Sequence, residues 1–338
     1  MIREAIESLV SGRSLSFEQA SAVMEEIMSG GATPAQIAAF ITALRIKGET
    51  VDEIAGLASV MRARATPVPA TPPLVDTCGT GGDGAFTFNI STAAAFVAAG
   101  AGLKVAKHGN RAMSSHCGSA DVLEALGVKI DLGAEAVSRC LETVGIGFMF
   151  APVFHPAMKY AAAPRREIGI RTVFNILGHL TNPARAESQV IGVASEELGN
   201  KIAAVLHRLG TKHSLVVHSR DGMDEISITG KSLVWEVTGS GVLPVKEVSP
   251  RLFGFREADL AEVKGGTPQE NAGIVRHILE GEKGSRREVV VMNAAAALVA
   301  GDRASDLKAG ARIAEEAIDS GRALGKLDGL VRLSQGLA

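Results

Sequence analysis

The residues best suited to chemistry lie in a glycine-rich stretch, DTCGTGGDGAFTFNIST, at residues 76–92. It holds four glycines within six residues, together with Asp76, Asp83 and several hydroxyl side chains. Glycine permits positive φ angles and close approach of backbone N–H groups to a ligand, and successive inward N–H groups bind anions. An alanine-rich run at 93–99 favours a following helix, whose N-terminus would attract phosphate. The alternative is a flexible connector, because the stretch matches neither a Walker loop nor a dinucleotide fingerprint.

A second stretch of this kind, KHGNRAMSSHCGSADVLEALG, spans residues 107–127. It follows a short apolar run and leads into a predicted helix near residues 120–126. Lys107, His108 and Arg111 supply positive charge, and an asparagine and several serines supply hydrogen-bond donors. Two phosphate-binding loops on neighbouring strand–helix units predict a ligand with more than one phosphate group.

The elements that position these loops follow from the hydrophobic pattern. Residues 1–65 are predicted to be helical, with three successive capping boxes that start at Ser or Thr. The proline-rich segment 66–73 is a predicted linker. Apolar runs then alternate with helical stretches over residues 74–338, which predicts an α/β domain with a largely parallel central sheet. The predicted strands are 74–77, 103–107, 145–150, 190–194, 214–218 and 288–292, with two further strands at 226–229 and 233–237.

Composition narrows the class of protein. The chain has 338 residues, 46% of them hydrophobic, which is ordinary for a globular protein. A net charge of −2 implies no general affinity for nucleic acid. Three cysteines make no disulfide framework, and Cys78 and Cys117 are expected to be packing residues rather than nucleophiles. The acid-containing N-terminus and the lack of a long apolar run predict a cytoplasmic protein without signal peptide or membrane span.

Four motifs closely resemble the anthranilate phosphoribosyltransferase family: DTCGTGGDG…FNIST, KHGNR…SS…GSADVLEALG, PRREIGIRTVFNILGHLTNPA at 164–184 and DGMDEIS at 221–227. They occur in the family's order and span nearly the whole chain. The resemblance implies transfer of the phosphoribosyl group of phosphoribosyl pyrophosphate (PRPP) to the amine of anthranilate, in tryptophan biosynthesis. It also implies a small helical domain on which part of residues 154–187 packs, a large α/β domain of the nucleoside phosphorylase type, and a homodimer through the helical domains.

The resemblance further implies three groups of site residues. The PRPP group is Gly79, Gly82, Asp83, Thr87, Asn89, Ile90, Ser91, Thr92, Lys107, His108, Gly109, Asn110, Arg111, Ala112, Met113, Ser114, Ser115 and Ser119. The anthranilate group is Gly79, Asn110 and Arg165. The Mg²⁺ group is Ser91, Asp224 and Glu225, with two ions per subunit. His108 suits acid–base catalysis, but a positioning role is equally open. Taken alone, Asp224 and Glu225 fit a solvated surface pair, and Arg165 with Arg166 fits an exposed pair at a helix start.

Three positions depart from the family pattern. The family usually has Lys then Ser where His116 and Cys117 stand, and Pro where His179 stands. These changes bear on substrate affinity more than on the type of reaction. Two other functions are open at this point. A nucleoside phosphorylase of the same fold class would cleave thymidine or uridine with phosphate. A non-catalytic nucleic-acid-binding relative would show salt-dependent DNA binding.

Overall fold

The structure is a computed structural model that describes residues 1–112 and 116–337. Residues 1–65 form the helices α1 (Ile2–Val10), α2 (Phe17–Met28), α3 (Pro34–Lys47) and α4 (Val51–Arg64). As predicted, α2, α3 and α4 each begin with a capping box, in which a hydroxyl and the side chain three positions on satisfy each other's backbone N–H. Among the helices within these ranges, none is long and apolar enough to cross a bilayer.

A sheet of eight strands, all within the described ranges, forms the centre of the remaining chain. The strands are β1 (Leu74–Gly79), β2 (Lys104–Gly109), β3 (Ile146–Phe150), β4 (Ser188–Gly192), β5 (His213–Ser219), β6 (Ser232–Thr238), β7 (Gly241–Val242) and β8 (Lys246–Val248). Their order is β3-β2-β1-β4-β5-β6-β7, and β8 also pairs with β6. Strands β1 to β5 are parallel and the others antiparallel, so the predicted largely parallel sheet is confirmed. The strand order reverses between β1 and β4, where such sheets bind ligands beyond the carboxyl ends of their strands.

Helices cover the sheet and connect its strands. They are α5 (Ile90–Gly100), α6 (Ser119–Ala125), α7 (Ala134–Thr143), α8 (Ala151–Phe154), α9 (Lys159–Ile168), α10 (Phe174–Leu177), α11 (Glu196–Arg208), α12 (Pro268–Leu279), α13 (Ser285–Ala300), α14 (Leu307–Asp319) and α15 (Arg322–Gly336). The alanine-rich α5 and α13 pack against each other and are almost wholly buried, since small side chains allow close approach. Helix α9 packs against α2 and α3 and so brings the middle of the chain onto the N-terminal helices.

Two predicted strands are wrong. Residues 288–292 lie inside α13, because their apolar run continues to residue 300 and a short apolar run alone does not separate a buried helix from a strand. Residues 226–229 form no strand, because side chains replace the ladder hydrogen bonds. Asn293 Oδ1 accepts from Ile226 N at 2.9 Å, and Asn293 Nδ2 donates to Ile226 O at 2.9 Å.

Candidate active site

A cavity of about 870 Å³ opens beyond the carboxyl ends of β1, β2 and β3, within the size range of small-molecule sites. It is lined by the glycine-rich loop, the start of α5, the end of β2, the segment 151–179 and the acidic pair at 224 and 225. Every described residue of the three predicted site groups lies on this lining. Met113, Ser114 and Ser115 lie outside the described residues.

The glycine-rich loop leaves β1 at Gly79 and turns through left-handed backbone. Gly81, Gly82 and Gly84 have φ angles of +65°, +77° and +72°, a region that other L-residues rarely adopt. The Gly81 N–H donates to Asp224 Oδ2 at 2.6 Å. Glycine is therefore required here by the turn itself, and the loop is fixed to the acidic pair rather than free.

Asp224 and Glu225 are not a solvated pair, because their exposed fractions are only 7% and 8%. The Asp224 carboxylate lies against Gly79, where a Cβ would crowd it, and its backbone lies against Gly192 in the same way. The pKa of Asp224 is raised to about 7, mainly by burial and secondly by the neighbouring Asp83. Burial, and then Asp224, raise the pKa of Glu225 well above its usual value. Neither carboxylate makes an ion pair within 4.0 Å in the described part of the chain.

This donor set fits Mg²⁺. Hard oxygen ligands, two of them buried carboxylates without a bonded cation, are what Mg²⁺ prefers. Within residues 1–112 and 116–337, no three acidic, histidine or cysteine side chains come together as a closed metal cage. Mg²⁺ commonly takes one or two carboxylates and completes its shell with water and substrate phosphates. Ser91, in the first turn of α5, lines the same cavity.

The buried end of β2 is held by a polar network. Lys107 Nζ donates to Thr77 O at 2.5 Å, and burial lowers the pKa of Lys107 despite the nearby Asp76. Asp76 accepts from the backbone N–H of His108 at 3.2 Å and from Asn182 Nδ2 at 2.8 Å. Lys107 Nζ is thus fixed at the end of β1, on the cavity lining.

Two predicted PRPP residues have their side chains engaged by the protein. Arg111 forms ion pairs with Asp121 at 2.9 Å and Glu124 at 2.8 Å. Asn89 donates to Cys117 O at 3.0 Å and accepts from Asn271 Nδ2 at 2.9 Å. Both residues line the cavity, but these contacts position the loops around it.

Three histidines line the cavity and are neutral at pH 7. Burial lowers the pKa of His108 to about 3, and of His155 and His179 to about 4. His108 Nδ1 lies 3.0 Å from Gly178 O, which places the proton on Nδ1, while the buried Nε2 has no partner in the described part of the chain. The rings of His108 and His155 are 5.0 Å apart. Of the departures from the family pattern, His179 lines this cavity, whereas the His116 ring packs 5.3 Å from the Phe86 ring.

Arg165 lies in the last turn of α9, not at a helix start. Its guanidinium stacks over the Phe174 ring at 5.0 Å, and burial lowers its pKa. It lines the cavity and has no acidic partner within 4.0 Å among the described residues. Arg166 is exposed and lies off the lining. Arg165 is thus a preformed cation suited to a planar carboxylate.

Sequence reasoning missed several residues that shape the site. Asp121 Oδ2 accepts from both Ala112 N and Gly118 N at 2.9 Å, which fixes the chain on either side of residues 113–115. Arg171 contacts the glycine-rich loop, and His155 adds a ring to the cavity wall. Asp121 and Arg171 stand inside the recognised motifs, so the motifs themselves were the available signal. His155 has no local sequence signal.

The three cysteines are buried thiols. Burial raises the pKa of Cys117 and of Cys140 to about 11. Burial, and then the charge of Asp76, raise the pKa of Cys78 well above its usual value. Each is thus protonated at neutral pH, which supports the prediction of packing residues rather than nucleophiles.

Comparisons with known proteins agree across the chain. Residues 71–324 match the glycosyl transferase family, a/b domain, and residues 3–65 match its helical bundle domain. The anthranilate phosphoribosyltransferase of Dehalococcoides mccartyi is 60% identical and covers 100% of this chain and 99% of its own. That of Chloroflexus aggregans is 61% identical, with coverages of 100% and 99%.

Solved structures of the same enzyme share the fold. The Thermus thermophilus protein matches with a TM-score of 0.92 and 44% identity, over 98% of this chain and 99% of that one. The Saccharomyces cerevisiae enzyme in complex with PRPP and Mg matches with a TM-score of 0.91 and 29% identity, over 99% and 98%. The same yeast enzyme in complex with 4-fluoroanthranilate matches with a TM-score of 0.89 and 28% identity, over 99% and 98%.

Proposed function

The chain belongs to the anthranilate phosphoribosyltransferase family, and from that premise we propose that the cavity holds PRPP and anthranilate together and transfers the phosphoribosyl group between them. The observation that carries the proposal is the composition of this one cavity. It joins a glycine-rich loop and two buried carboxylates to an arginine without an acidic partner in the described chain. A phosphorylated ligand with a metal ion, and an aromatic carboxylate, are the ligands that such groups bind.

The pyrophosphate and ribose of PRPP are placed at the glycine-rich loop. Its left-handed glycines let a ligand approach the backbone closely, and the adjoining N-terminus of α5 favours negative charge. Asp224, Glu225 and Ser91 hold Mg²⁺, with two ions per subunit. Bound there, Mg²⁺ neutralises the negative charge that grows on the leaving pyrophosphate. Both carboxyls are buried next to each other, and a bound cation would stabilise their ionised forms.

Anthranilate is placed beside Arg165 and Asn110, with Gly79 at its edge. Arg165 binds the carboxylate, and stacking on Phe174 limits the orientations of the guanidinium. His108 positions the amine, because its Nε2 lone pair is open while Nδ1 donates to Gly178 O. A pKa of about 3 makes His108 a poor general base at neutral pH, so we assign it positioning rather than proton transfer.

In the transfer, the anthranilate nitrogen bonds to C1 of the ribose while the C1–O bond to pyrophosphate breaks, and the proton that the amine loses passes to the departing pyrophosphate. Positive charge develops on the ribose and negative charge on the pyrophosphate. Such a reaction depends on alignment of the substrates and on neutralisation of charge, more than on a covalent nucleophile. The loop amides and the N-terminus of α5 supply fixed positive potential for this purpose.

The proposal also covers the boundary between the two domains of the chain. We place the domain boundary at the linker 66–73, with the helical domain at 1–65 and the α/β domain at 74–338. The contact of α9 with α2 and α3 supports packing of part of 154–187 on the helical domain.

We also propose a homodimer through the helical domains. Two exposed apolar side chains support the homodimer: Val10 on α1 is 75% exposed and Ile46 on α3 is 82% exposed. These two helices pack against each other, and a dimer interface there would cover both side chains.

Loss of anthranilate fluorescence tests the function directly. The protein mixed with PRPP, anthranilate and Mg²⁺ should consume anthranilate and release pyrophosphate in equal amounts, and chelation of Mg²⁺ should stop the reaction. Parallel incubation of thymidine or uridine with phosphate should give no free base. Phosphorolysis of a nucleoside without consumption of anthranilate would contradict the assignment.

Replacement of Arg165 by Ala should raise the anthranilate KM by about ten- to a hundredfold, because a charged hydrogen bond contributes roughly 1.5–3 kcal/mol. The PRPP KM should stay near that of the parent, since its phosphates are bound by other elements. Arg165→Lys should restore part of the loss, because Lys lacks the planar fork. Initial rates with each substrate varied in turn measure both constants.

Arg166→Ala is the matched control for Arg165→Ala, since this neighbouring arginine is exposed and off the cavity lining. Its kinetic constants should equal those of the parent. An unchanged anthranilate KM in Arg165→Ala, or equal damage to both substrates, would exclude Arg165 as the carboxylate ligand.

A further inference from the structure

Arg171 reaches across the cavity wall to the glycine-rich loop. It lies in the turn after α9, two residues beyond Gly169, which ends that helix in left-handed backbone at φ +65°. Its Nη2 donates to Thr80 O at 3.1 Å and to Gly81 O at 2.9 Å. One guanidinium nitrogen thus bridges two consecutive carbonyls of the loop that is placed around PRPP.

The backbone N–H groups of Thr80 and Gly81 are hydrogen-bonded as well. Gly81 N donates to Asp224 Oδ2 at 2.6 Å, and Thr80 N donates to Gly192 O at 2.9 Å. Each of the two residues therefore gives its carbonyl to Arg171, while its N–H donates to the last residue of β4 or to Asp224 in the loop between β5 and β6. Without Arg171, only the N–H side of this short segment would be fixed.

Gly82 shows how closely the arginine packs on the loop. A Cβ built at Gly82 would overlap the Arg171 guanidinium, with Nη1 and Cζ the nearest atoms. A Cβ at Gly81 or at Gly84 would meet nothing within 4 Å. Close approach of Arg171 is thus a reason for glycine that is specific to residue 82, in addition to the positive φ that the three glycines share.

The Arg171 guanidinium contacts the loop through the carbonyls of Thr80 and Gly81. It makes no ion pair within 4.0 Å in the described part of the chain, although its side chain is exposed. Arg165, the proposed carboxylate ligand, lies six residues earlier on α9, and its contact is with Phe174. The two arginines therefore serve different parts of the cavity from one helix and the turn that follows it.

We infer that Arg171 is a positioning residue, which holds the glycine-rich loop in the conformation that receives the ribose and pyrophosphate of PRPP. It acts through the carbonyls of Thr80 and Gly81, to which its Nη2 donates. The inference rests on the proposed placement of PRPP at this loop. It assigns Arg171 a role in PRPP affinity and none in binding the anthranilate carboxylate.

The test compares Arg171→Met, Arg171→Lys and the control Arg166→Met. Wild-type turnover of PRPP and anthranilate is measured first, so that a failure of the proposed function is seen separately. PRPP affinity with Mg²⁺ is then measured by calorimetry, beside both KM values and the melting temperature. Arg171→Met should weaken PRPP binding about tenfold. This is the low end of the range for loss of a charged hydrogen bond, and we expect it because the Arg171 side chain is exposed. The anthranilate KM and the melting temperature should not change.

The conservative variant separates positioning from mere packing. An ammonium at position 171 can still donate to one of the two carbonyls, so Arg171→Lys should bind PRPP with an affinity between those of the parent and Arg171→Met. Arg166→Met should match the parent. Unchanged PRPP affinity in Arg171→Met would overturn the inference. So would a rise confined to the anthranilate KM, which would make Arg171 the carboxylate ligand, or an equal loss for both substrates with a lowered melting temperature.

Discussion

Simultaneous replacement of Asp224 by Asn and Glu225 by Gln is expected to lower turnover by at least about a thousandfold, since removal of even one group that stabilises developing charge costs a hundred- to thousandfold. The substitutions keep the size of both side chains and remove their charge. Both carboxyls are buried and their pKa values are raised, so the charged forms are the costly ones in the fold. The melting temperature in the absence of Mg²⁺ should therefore not fall.

Magnesium titration identifies the cause of that loss. PRPP binding to the parent should strengthen with added Mg²⁺, and in the double variant this dependence should weaken. Glu247→Gln is the control, because this acid is half-exposed on β8, pairs with Lys231 at 2.6 Å, and lies off the cavity lining. An active double variant with the parent's Mg²⁺ dependence would remove Asp224 and Glu225 from the metal site.

Gly82→Val is expected to weaken PRPP binding by roughly ten- to a hundredfold, because a left-handed residue with a Cβ costs about 1–2 kcal/mol and the new side chain also displaces Arg171. The residue has φ +77°, which is particularly unfavourable for a β-branched side chain. Calorimetry with PRPP and Mg²⁺ measures the affinity. The melting temperature should change only modestly, since the loop lies outside the core.

Gly84→Val separates the two causes of the Gly82→Val effect. It carries the same strain at φ +72° but meets nothing within 4 Å, so its loss of affinity should be smaller. Gly82→Val combined with Arg171→Met should lose less than the sum of the two single losses, because each disturbs the same contact. Undiminished PRPP affinity in Gly82→Val would leave the loop as a connector between β1 and α5.

Much of the fold could be predicted because local sequence and tertiary structure agree. Apolar runs ending in glycine or polar loops became β1 and β2, and Ser or Thr followed by Gln or Glu became the starts of α2, α3 and α4. The prediction of a strand at 288–292 failed because a short apolar run fits a buried strand and a buried helix equally well. Asn293 ties that helix to residues 226–229 through contacts 67 positions apart in sequence.

The residues that line the candidate site could be predicted from the sequence, but the roles of several of them could not. Asp224 looks like a surface acid until the fold places Gly79 and Gly192 against it, and Glu225 is buried beside it. Arg111 looks like a phosphate ligand, yet Asp121 and Glu124 share its charge in this structure. Such pairings join distant segments or opposite sides of a loop, and nothing in the local spacing indicates which acid will meet which base.

The burial of the cysteines makes the chain suitable for site-specific labelling. With thiol pKa values near 11, only about one Cys117 or Cys140 thiol in ten thousand is a thiolate at pH 7. An engineered surface cysteine with an ordinary pKa would react with a maleimide dye far faster than any native thiol. A pair of dyes, one at the exposed Glu18 on α2 and one at Val242 on β7, would then report by energy transfer whether the N-terminal helices move relative to the sheet when substrates bind.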